Sequence, residues 1–437
     1  LNSNRNHLQS IKTFYTTTVP SDWDTPEFGK EFYFLKTFSH SREQLTSKKT
    51  EDEIYNIHYG DIHATFKNKI VDFEIEEFIP FLADGLIREE SIRNSEFPAL
   101  KDGDLIIADV SEDYAGICGC IELKNVNGRK VIGGLHTFAA RANESSIALG
   151  FRAYVLSHQQ VIRELRRIVT GTSVNGISKI GLSKLKIALP PLAEQKAIAH
   201  ILSLMDSSIT SNNLLITQKE LRKKWMVQNL LTGKIRLTGY TKDWENKTLK
   251  KLVTPVKRAL NPIQDELYQQ IGIRSHGKGL FYKEKVTGAA LGNKSVFWVE
   301  PNCFIANIVF AWEHAVAKTT EAETGMIASH RFPMFKPKEG VLHLDYLLYF
   351  FKSSRGKQLL ELASPGGAGR NKTLGQSEFL KLNIPVPSYE EQTAIAQVLL
   401  AVDKELQLLK AKTEKLKEQK KGMMQVLLTG KKRLKIT

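Results

Sequence analysis

Asp109 or Asp113, followed by Glu122-Leu123-Lys124, gives the order in which two carboxylates hold a divalent ion and a lysine stabilises charge developing on a phosphate, the chemistry of a metal-dependent nuclease. No proline precedes Asp109, and a lysine ending a strand at a solvated edge is the commoner use of these residue types. A second candidate is Gly272, four residues, then Gly277-Lys278-Gly279, close to a phosphate loop except that Gly279 stands where a serine or threonine would meet magnesium. Beside Arg274, His276 and Lys278, such a glycine loop also suits contact with a phosphate backbone. Asn261-Pro262-Ile263 matches only part of the Asn-Pro-Pro-Tyr pattern of amino methylation and reads as a turn. Cys118, Cys120 and Cys303 form neither a disulfide framework nor a paired zinc motif, and no metal or cofactor is expected.

The elements that would position these residues must come from a chain of 437 residues, long enough for two to four domains. Its net charge is +15 although charged residues make up only 25% of it, so the basic excess sits on a folded protein and favours a polyanion such as nucleic acid. No apolar run of about 18 residues and no charged-then-apolar leader is seen, which argues against a membrane span and a secretory signal. A reducing cytoplasm fits the sparse cysteines.

An internal repeat gives the organisation. Leu189-Pro190-Pro191-Leu192-Ala193-Glu194-Gln195-Lys196-Ala197-Ile198-Ala199 returns as Val386-Pro387-Ser388-Tyr389-Glu390-Glu391-Gln392-Thr393-Ala394-Ile395-Ala396. The offset, 391 − 194 = 197, also relates Leu230-Leu231-Thr232-Gly233-Lys234 to Leu427-Leu428-Thr429-Gly430-Lys431, and Arg236-Leu237 to Arg433-Leu434. An equal length in both copies is natural for a rigid rod. Proline at the start, none within, and Thr-Gly at the end punctuate one long helix in each copy. Ile198, Ile201, Met205, Ile209, Ile216, Met226 and Leu230 form an apolar stripe in the first, matched by Ile395, Val398, Val402, Leu406, Leu409, Leu416, Met423 and Leu427 in the second. That is a coiled-coil pattern, and the simplest partner for each helix is the other copy. Asn212, Lys219 and the equivalent pair Lys223 and Lys420 interrupt the stripe, where polar residues either fix register or lay solvated stems along the seam.

The intervening regions have mixed patterning. Strands are expected at 104–108, 119–123 and 303–309, and helices at 151–169 and 345–363, each helix followed by a glycine-bearing polar stretch. The order is therefore globule (1–183), rod (184–237), globule (238–380), rod (381–437), an α+β chain in which two mixed α/β globules alternate with helices pairing as an antiparallel coiled coil. A coiled-coil interaction protein would explain the rods but not two large globules with basic, aromatic and glycine-rich segments.

The Pro190-Pro191-Leu192-Ala193-Glu194-Gln195 motif, Glu391-Gln392 and both Leu-Leu-Thr-Gly-Lys endings resemble the helical regions of type I restriction-modification specificity subunits. Tyr59-Gly60-Asp61-Ile62-His63, residues 271–279 and Phe310-Ala311-Trp312-Glu313 are similar to segments of their target-recognition domains. The resemblance spans nearly the whole chain. It implies a non-catalytic subunit whose two recognition domains each read half of a bipartite site in double-stranded DNA. Two methyltransferase subunits would supply adenine methylation from S-adenosylmethionine, and ATP-dependent restriction subunits translocation and cleavage. The candidate DNA contacts are Tyr59, Gly60, His63, Lys67 and Arg141 in the first globule, and Arg274, His276, Lys278, Trp312, Arg331 and Arg370 in the second. Arg370 stands out because it lies in a glycine-rich run. Glu194, Gln195, Ile198, Glu391, Gln392 and Ile395 are the scaffold and partner candidates.

Rods of equal length suit a ruler for the gap between half-sites. Four residues added after Asn213 lengthen the helix by about 6 Å and nearly restore its phase, whereas two rotate the stripe out of its seam. The expected result is an active four-residue variant whose methylated motif has a wider gap, and an inactive two-residue variant. Methylation sequencing that finds the original gap in an active four-residue variant rejects the ruler.

Overall fold

The proline-free stretches after Pro191 and Pro387 each form one helix of 39 residues, Leu192–Leu230 and Tyr389–Leu427, about 60 Å long. Both end as the Thr-Gly signal predicts. Gly233 and Gly430 take positive φ of 69° and 67°, and Thr232 and Thr429 donate from Oγ1 to the carbonyls of Gln228 and Gln425, occupying acceptors that the last turn leaves free. A β-carbon on Gly430 would lie 2.4 Å from Pro20, so the turn also needs glycine for close packing.

The computed structural model describes residues 10–87, 97–111, 119–143, 145–169, 175–366 and 372–434. It has two compact units, Leu1–Asn213 with Lys412–Thr437, and Leu214–Ala411. Each unit therefore holds one globule, part of the first long helix and part of the second.

In unit 1, a five-stranded sheet runs Phe32–Leu35, Thr137–Ala142, Leu105–Ala108, Cys120–Lys124, Ile70–Asp72, antiparallel except for its last pair. Its core joins Trp23, Phe28, Ile107 and Tyr154 to Ile198 and Leu202 of the first long helix and Leu427 of the second. In unit 2, a four-stranded sheet (Val253–Val256, Met334–Pro337, Phe304–Ala306, Val316–Lys318) accompanies a five-stranded one ending in the hairpin Leu267–Ile273 and Leu280–Thr287. Phe304, Phe351 and Phe379 centre its core, and Leu230, Ile395 and Leu399 bring in the long helices.

The long helices are antiparallel within each unit: Glu194 and Asp206 of the first meet Arg433 and Lys420 in unit 1, and Asp403 and Glu391 of the second meet Lys223 and Arg236 in unit 2, each arginine lying just past its helix. In unit 2, Lys219 meets Glu405 at 2.7 Å, Glu220 meets Lys410 at 2.5 Å, and Lys223 pairs with Asp403. In unit 1, Asp206 pairs with Lys420. The predicted stripe residues are all buried or half-buried. Lys219, Lys223 and Lys420, which interrupt the stripe, each carry a carboxylate from the opposite helix.

Three local expectations need correction. The strand expected at 303–309 stops at Ala306, because the Asn307 side chain accepts the Val309 amide and turns the chain. The two globule helices are each broken. His158 separates a 3₁₀ segment, Arg152–Ser157, from the helix Gln159–Ile168, and Ser353 separates Leu344–Lys352 from Ser354–Leu362. In both cases the breaking residue is extended and its side chain accepts an amide of the following helix, so an N-cap replaces a helical residue.

Candidate nucleic-acid interface

The globules are fixed to the long helices by a duplicated anchor built from the scaffold candidates. Gln195 accepts the Ala148 amide at 2.9 Å and donates to the carbonyls of Ser146 and Pro190. Gln392 repeats this with His343, Val341 and Pro387. Glu194 accepts Trp23 Nε1 at 3.2 Å and Arg433 Nε at 2.7 Å, while Glu391 accepts Trp244 Nε1 at 3.2 Å and Arg236 at 2.6 and 2.9 Å. Arg433 and Arg236 are 197 residues apart, so in unit 1 the anchor is completed by residues from the far end of the sequence. Glu194, Gln195, Ile198, Glu391, Gln392 and Ile395 are essentially buried. Their side chains face the interior of their own unit.

In unit 2, residues 307–314 gather most of the predicted contacts. The hairpin turn that carries Arg274, His276 and Lys278 docks on them, with the His276 and Gly277 amides donating to the carbonyls of Glu313 and His314 and Ser275 Oγ to the Glu313 carboxylate. Gly277 has φ of +65° and His276 +61°, the left-handed region that such a tight turn requires. Ile308 donates its amide to the Arg331 carbonyl and accepts the Leu374 amide. Trp312 donates its indole N–H to the Val309 carbonyl, and Lys372 Nζ stands 5.9 Å from its ring centre. Trp312 is thus a platform for a cation, which is a structural use of its face. Arg274, His276, Lys278 and Arg331 are exposed. Arg274 lies over the Phe281 ring at 5.2 Å and donates to the Leu280 carbonyl, which orients its guanidinium. Arg370 lies outside the described residues. The resemblance of 272–279 to a phosphate loop is corrected here: Gly272 is inside a strand and no helix follows Gly279.

Unit 1 has a matching arrangement around residues 108–111. His63 Nε2 lies 3.1 Å from the Val110 carbonyl, Asp109 exchanges backbone bonds with His136 and Ile177, and Val110–Ser111 pairs with Asn175–Gly176. The Ile177 to Asp109 bond in unit 1 corresponds to the Leu374 to Ile308 bond in unit 2. Tyr59 is half-buried among the rings of His58, His63 and His136, Gly60 opens the short helical turn Asp61–Thr65, and Lys67 is exposed just after it. Buried Asp61 holds this loop by accepting Arg42 Nη1 at 2.6 Å and the His58 amide at 3.0 Å. Burial lowers the His58 imidazole's affinity for protons, while burial raises the Asp109 carboxyl, against the pull of His136. Arg141 belongs elsewhere. It sits on the strand Thr137–Ala142 and makes two bonds of 2.8 and 2.7 Å to buried Asp104, so its guanidinium is committed inside the fold.

Among the described residues the nuclease constellation does not assemble. Glu122 is buried, with its carboxylate accepting the Gly150 and Ala153 amides, Lys124 pairs with Asp72 at 2.9 Å, Asp109 faces His136, and Asp113 lies outside the described residues. Among the described residues no group of three His, Cys, Asp or Glu could hold a metal ion, and no helix is long and apolar enough to cross a membrane. Cys120 and Cys303 are buried free thiols, and burial pushes them up to about 12 and about 11.

His136, Lys372 and Lys179, whose ammonium lies 5.6 Å from the rings of both Phe34 and Phe138, also border these loops but were not predicted. Lys372 closes the glycine-rich run that drew attention to Arg370, and His136 follows Gly133-Gly134-Leu135; those turn residues were the available signals.

The model of the type I restriction modification DNA specificity domain matches residues 49–220 and 241–418. The putative type I restriction enzyme MjaX specificity subunit of Methanocaldococcus jannaschii is 26% identical over 436 residues, 95% of each chain. The MjaVIII specificity subunit from the same organism is 23% identical, covering 98% of this chain and 97% of its own. In fold, the chain is similar to a type I restriction-modification S subunit from M. genitalium, with a TM-score of 0.55 at 13% identity over 98% of each chain. A chain from a structure describing assembly and conformational transition of the type I R-M system gives 0.53 at 14% identity, covering 94% of this chain and 99% of that one.

Proposed function

Because the chain belongs to the type I restriction-modification DNA specificity family, we propose that its globules, residues 1–183 and 238–380, each read one half of a bipartite duplex DNA site. The supporting observation is that residues 307–314 bring Arg274, His276, Lys278 and Arg331 into one exposed cationic neighbourhood, and residues 108–111 organise the Tyr59–Lys67 loop in the same way. Specificity subunits of type I systems bind DNA in complex with methyltransferase and restriction subunits. The finer reading here is two methyltransferase subunits and ATP-dependent restriction subunits, acting in the cytoplasm. The subunit does no chemistry of its own, and nothing favours the nuclease alternative.

Arg274 and Lys278 serve different purposes in this reading. Arg274, lying over Phe281 and bonded to the Leu280 carbonyl, reads a base edge, so Arg274→Ala is expected to cost roughly 1–3 kcal/mol of discrimination at one position in one half-site. Lys278 balances phosphate charge, so Lys278→Ala weakens binding to all sequences alike and reduces the salt slope by about one. Binding of the assembled enzyme to duplexes changed base by base, at several salt concentrations, checks both. Equal relaxation of the two halves by Arg274→Ala would reject separate reading.

A further inference from the structure

Gly272 stands first in the phosphate-loop-like motif, and its place inside a strand leaves it without that use. Its backbone does not call for glycine either. Gly277 and Gly279 of the same hairpin take positive φ, of 65° and 81°, and Gly272 does not. A glycine inside a strand packs no side chain and weakens it, and it often marks a site that another group approaches closely. Here the other group is the Phe281 ring. A β-carbon on Gly272 would lie 2.2 Å from its Cζ, 2.4 Å from Cε1 and 2.8 Å from Cε2.

The strand register explains the contact. Gly272 is directly opposite Phe281 across the antiparallel ladder, between the pairs Ile271 with Tyr282 and Ile273 with Leu280. Ile271 and Ile273 are buried in the core that contains Cys303 and Ile305, so Gly272 and Phe281 belong to the other face of the hairpin. On that face the ring covers the space that a side chain at 272 would fill. Arg274 is two residues further along, and its amide extends the ladder by donating to the Gly279 carbonyl at 3.0 Å. Its guanidinium carbon lies over the Phe281 ring, 5.2 Å from the ring centre, and Nη1 donates to the Leu280 carbonyl at 3.2 Å.

Two contacts thus restrict where Arg274 can place its donors. The ring face attracts the guanidinium, and the Leu280 carbonyl takes one N–H. A guanidinium is planar and reads guanine through two parallel donors, so a small error in its placement breaks the pair of bonds. An exposed arginine otherwise samples many rotamers and must give them up on binding, whereas one already seated has less to lose. The seat depends on the ring, and the ring's position depends on the side chain that Gly272 lacks.

We propose that Gly272 and Phe281 are positioning residues for sequence reading: the bare strand at Gly272 lets the Phe281 ring reach across the hairpin and form the shelf that sets Arg274 for one base pair. This deepens the proposed function and rests on its assignment of Arg274 as a reader.

The test uses the enzyme assembled with its methyltransferase subunits and duplexes changed base by base in both half-sites. Phe281→Ala is expected to lower discrimination about tenfold at the base pair where Arg274→Ala lowers it, and at no other. Gly272→Ala should do the same, because the backbone accepts alanine but the ring must leave its place. Neither substitution changes charge, so binding to unrelated duplex should keep its strength and its salt slope. Added to Phe281→Ala, Gly272→Ala should cause no further loss, and in an Arg274→Ala enzyme neither should lower discrimination further. If Gly272→Ala fails to assemble, Phe281→Ala alone and combined with Arg274→Ala decides the matter. The proposal is overturned if Phe281→Ala keeps full discrimination, relaxes a different base pair, weakens all sequences equally, or adds its loss to that of Arg274→Ala. An Arg274→Ala enzyme that keeps full discrimination would instead refute the reader itself, and the shelf would fall with it.

Discussion

Glu194→Ala is expected to loosen unit 1 by about 3 kcal/mol, the lower end of the range for removing one partner from a buried ion pair. Glu194 has no exposed surface, and its loss leaves the Trp23 indole N–H without its acceptor and Arg433 without one of its two carboxylates. Arg433 keeps its bonds of 2.9 and 2.7 Å to Asp22 and is partly solvated, which places the cost at the low end. Because Arg433 lies just after the second long helix, the effect should appear far from residue 194 in sequence. Amide exchange over 427–433 is expected to quicken by roughly 100-fold, with Glu194→Gln less affected because its carbonyl still accepts one bond. Unchanged protection there would show that the anchor does not hold the end of the chain. Glu391→Ala should act in the same direction on 230–236 through Arg236 and Trp244.

That distant partnership marks a limit of what the sequence discloses. The long helices are legible because prolines, the Thr-Gly ends and a three-and-four spacing all state the same element, and their pairing follows from having two copies of one stripe. The match of Glu194 with Arg433 rather than with nearby Arg236 is not legible, since both arginines carry the same local motif and only tertiary closure chooses between them. The broken helix at Ser353 could be anticipated from a residue type that caps well; at His158 it could not, because histidine is an uncommon cap. Arg141 and Glu122 failed for a shared reason. Each is a charged residue in a short strand, where its type alone suggests a solvated face, whereas both strands lie inside the five-stranded sheet and their polar side chains are met by Asp104 and by the 150–153 amides. The proposed DNA contacts are legible as residue types on glycine-bearing loops. Their convergence on 307–314 depends on backbone bonds between segments that no spacing rule connects.

Glu122, a candidate metal ligand on sequence grounds, is expected to cost unit 1 stability relative to a neutral analogue as the pH rises. Burial pushes its carboxyl up to about 7 from 4.5, because desolvation outweighs the Gly150 and Ala153 amides that favour the charged form. The folded state thus holds this proton more tightly than the unfolded chain. The resulting stabilisation is full below about pH 4.5 and is lost as pH rises through 7. Burial lowers His158 to about 4, and that group works the other way, costing stability as pH falls below its ordinary 6.5. The wild type alone would mix the two, so the comparison is with Glu122→Gln, which imitates the protonated carboxyl and leaves His158 in place. The stability difference between the two proteins should shift by roughly 2–3 kcal/mol from pH 5 to pH 8, the wild type losing ground as the pH rises. Amide exchange at Leu105–Ala108 and Cys120–Lys124 reads this within unit 1. A difference that stays constant across that range, or that moves in favour of the wild type at high pH, would mean that Glu122 is ionised throughout and that its two amide bonds outweigh its burial.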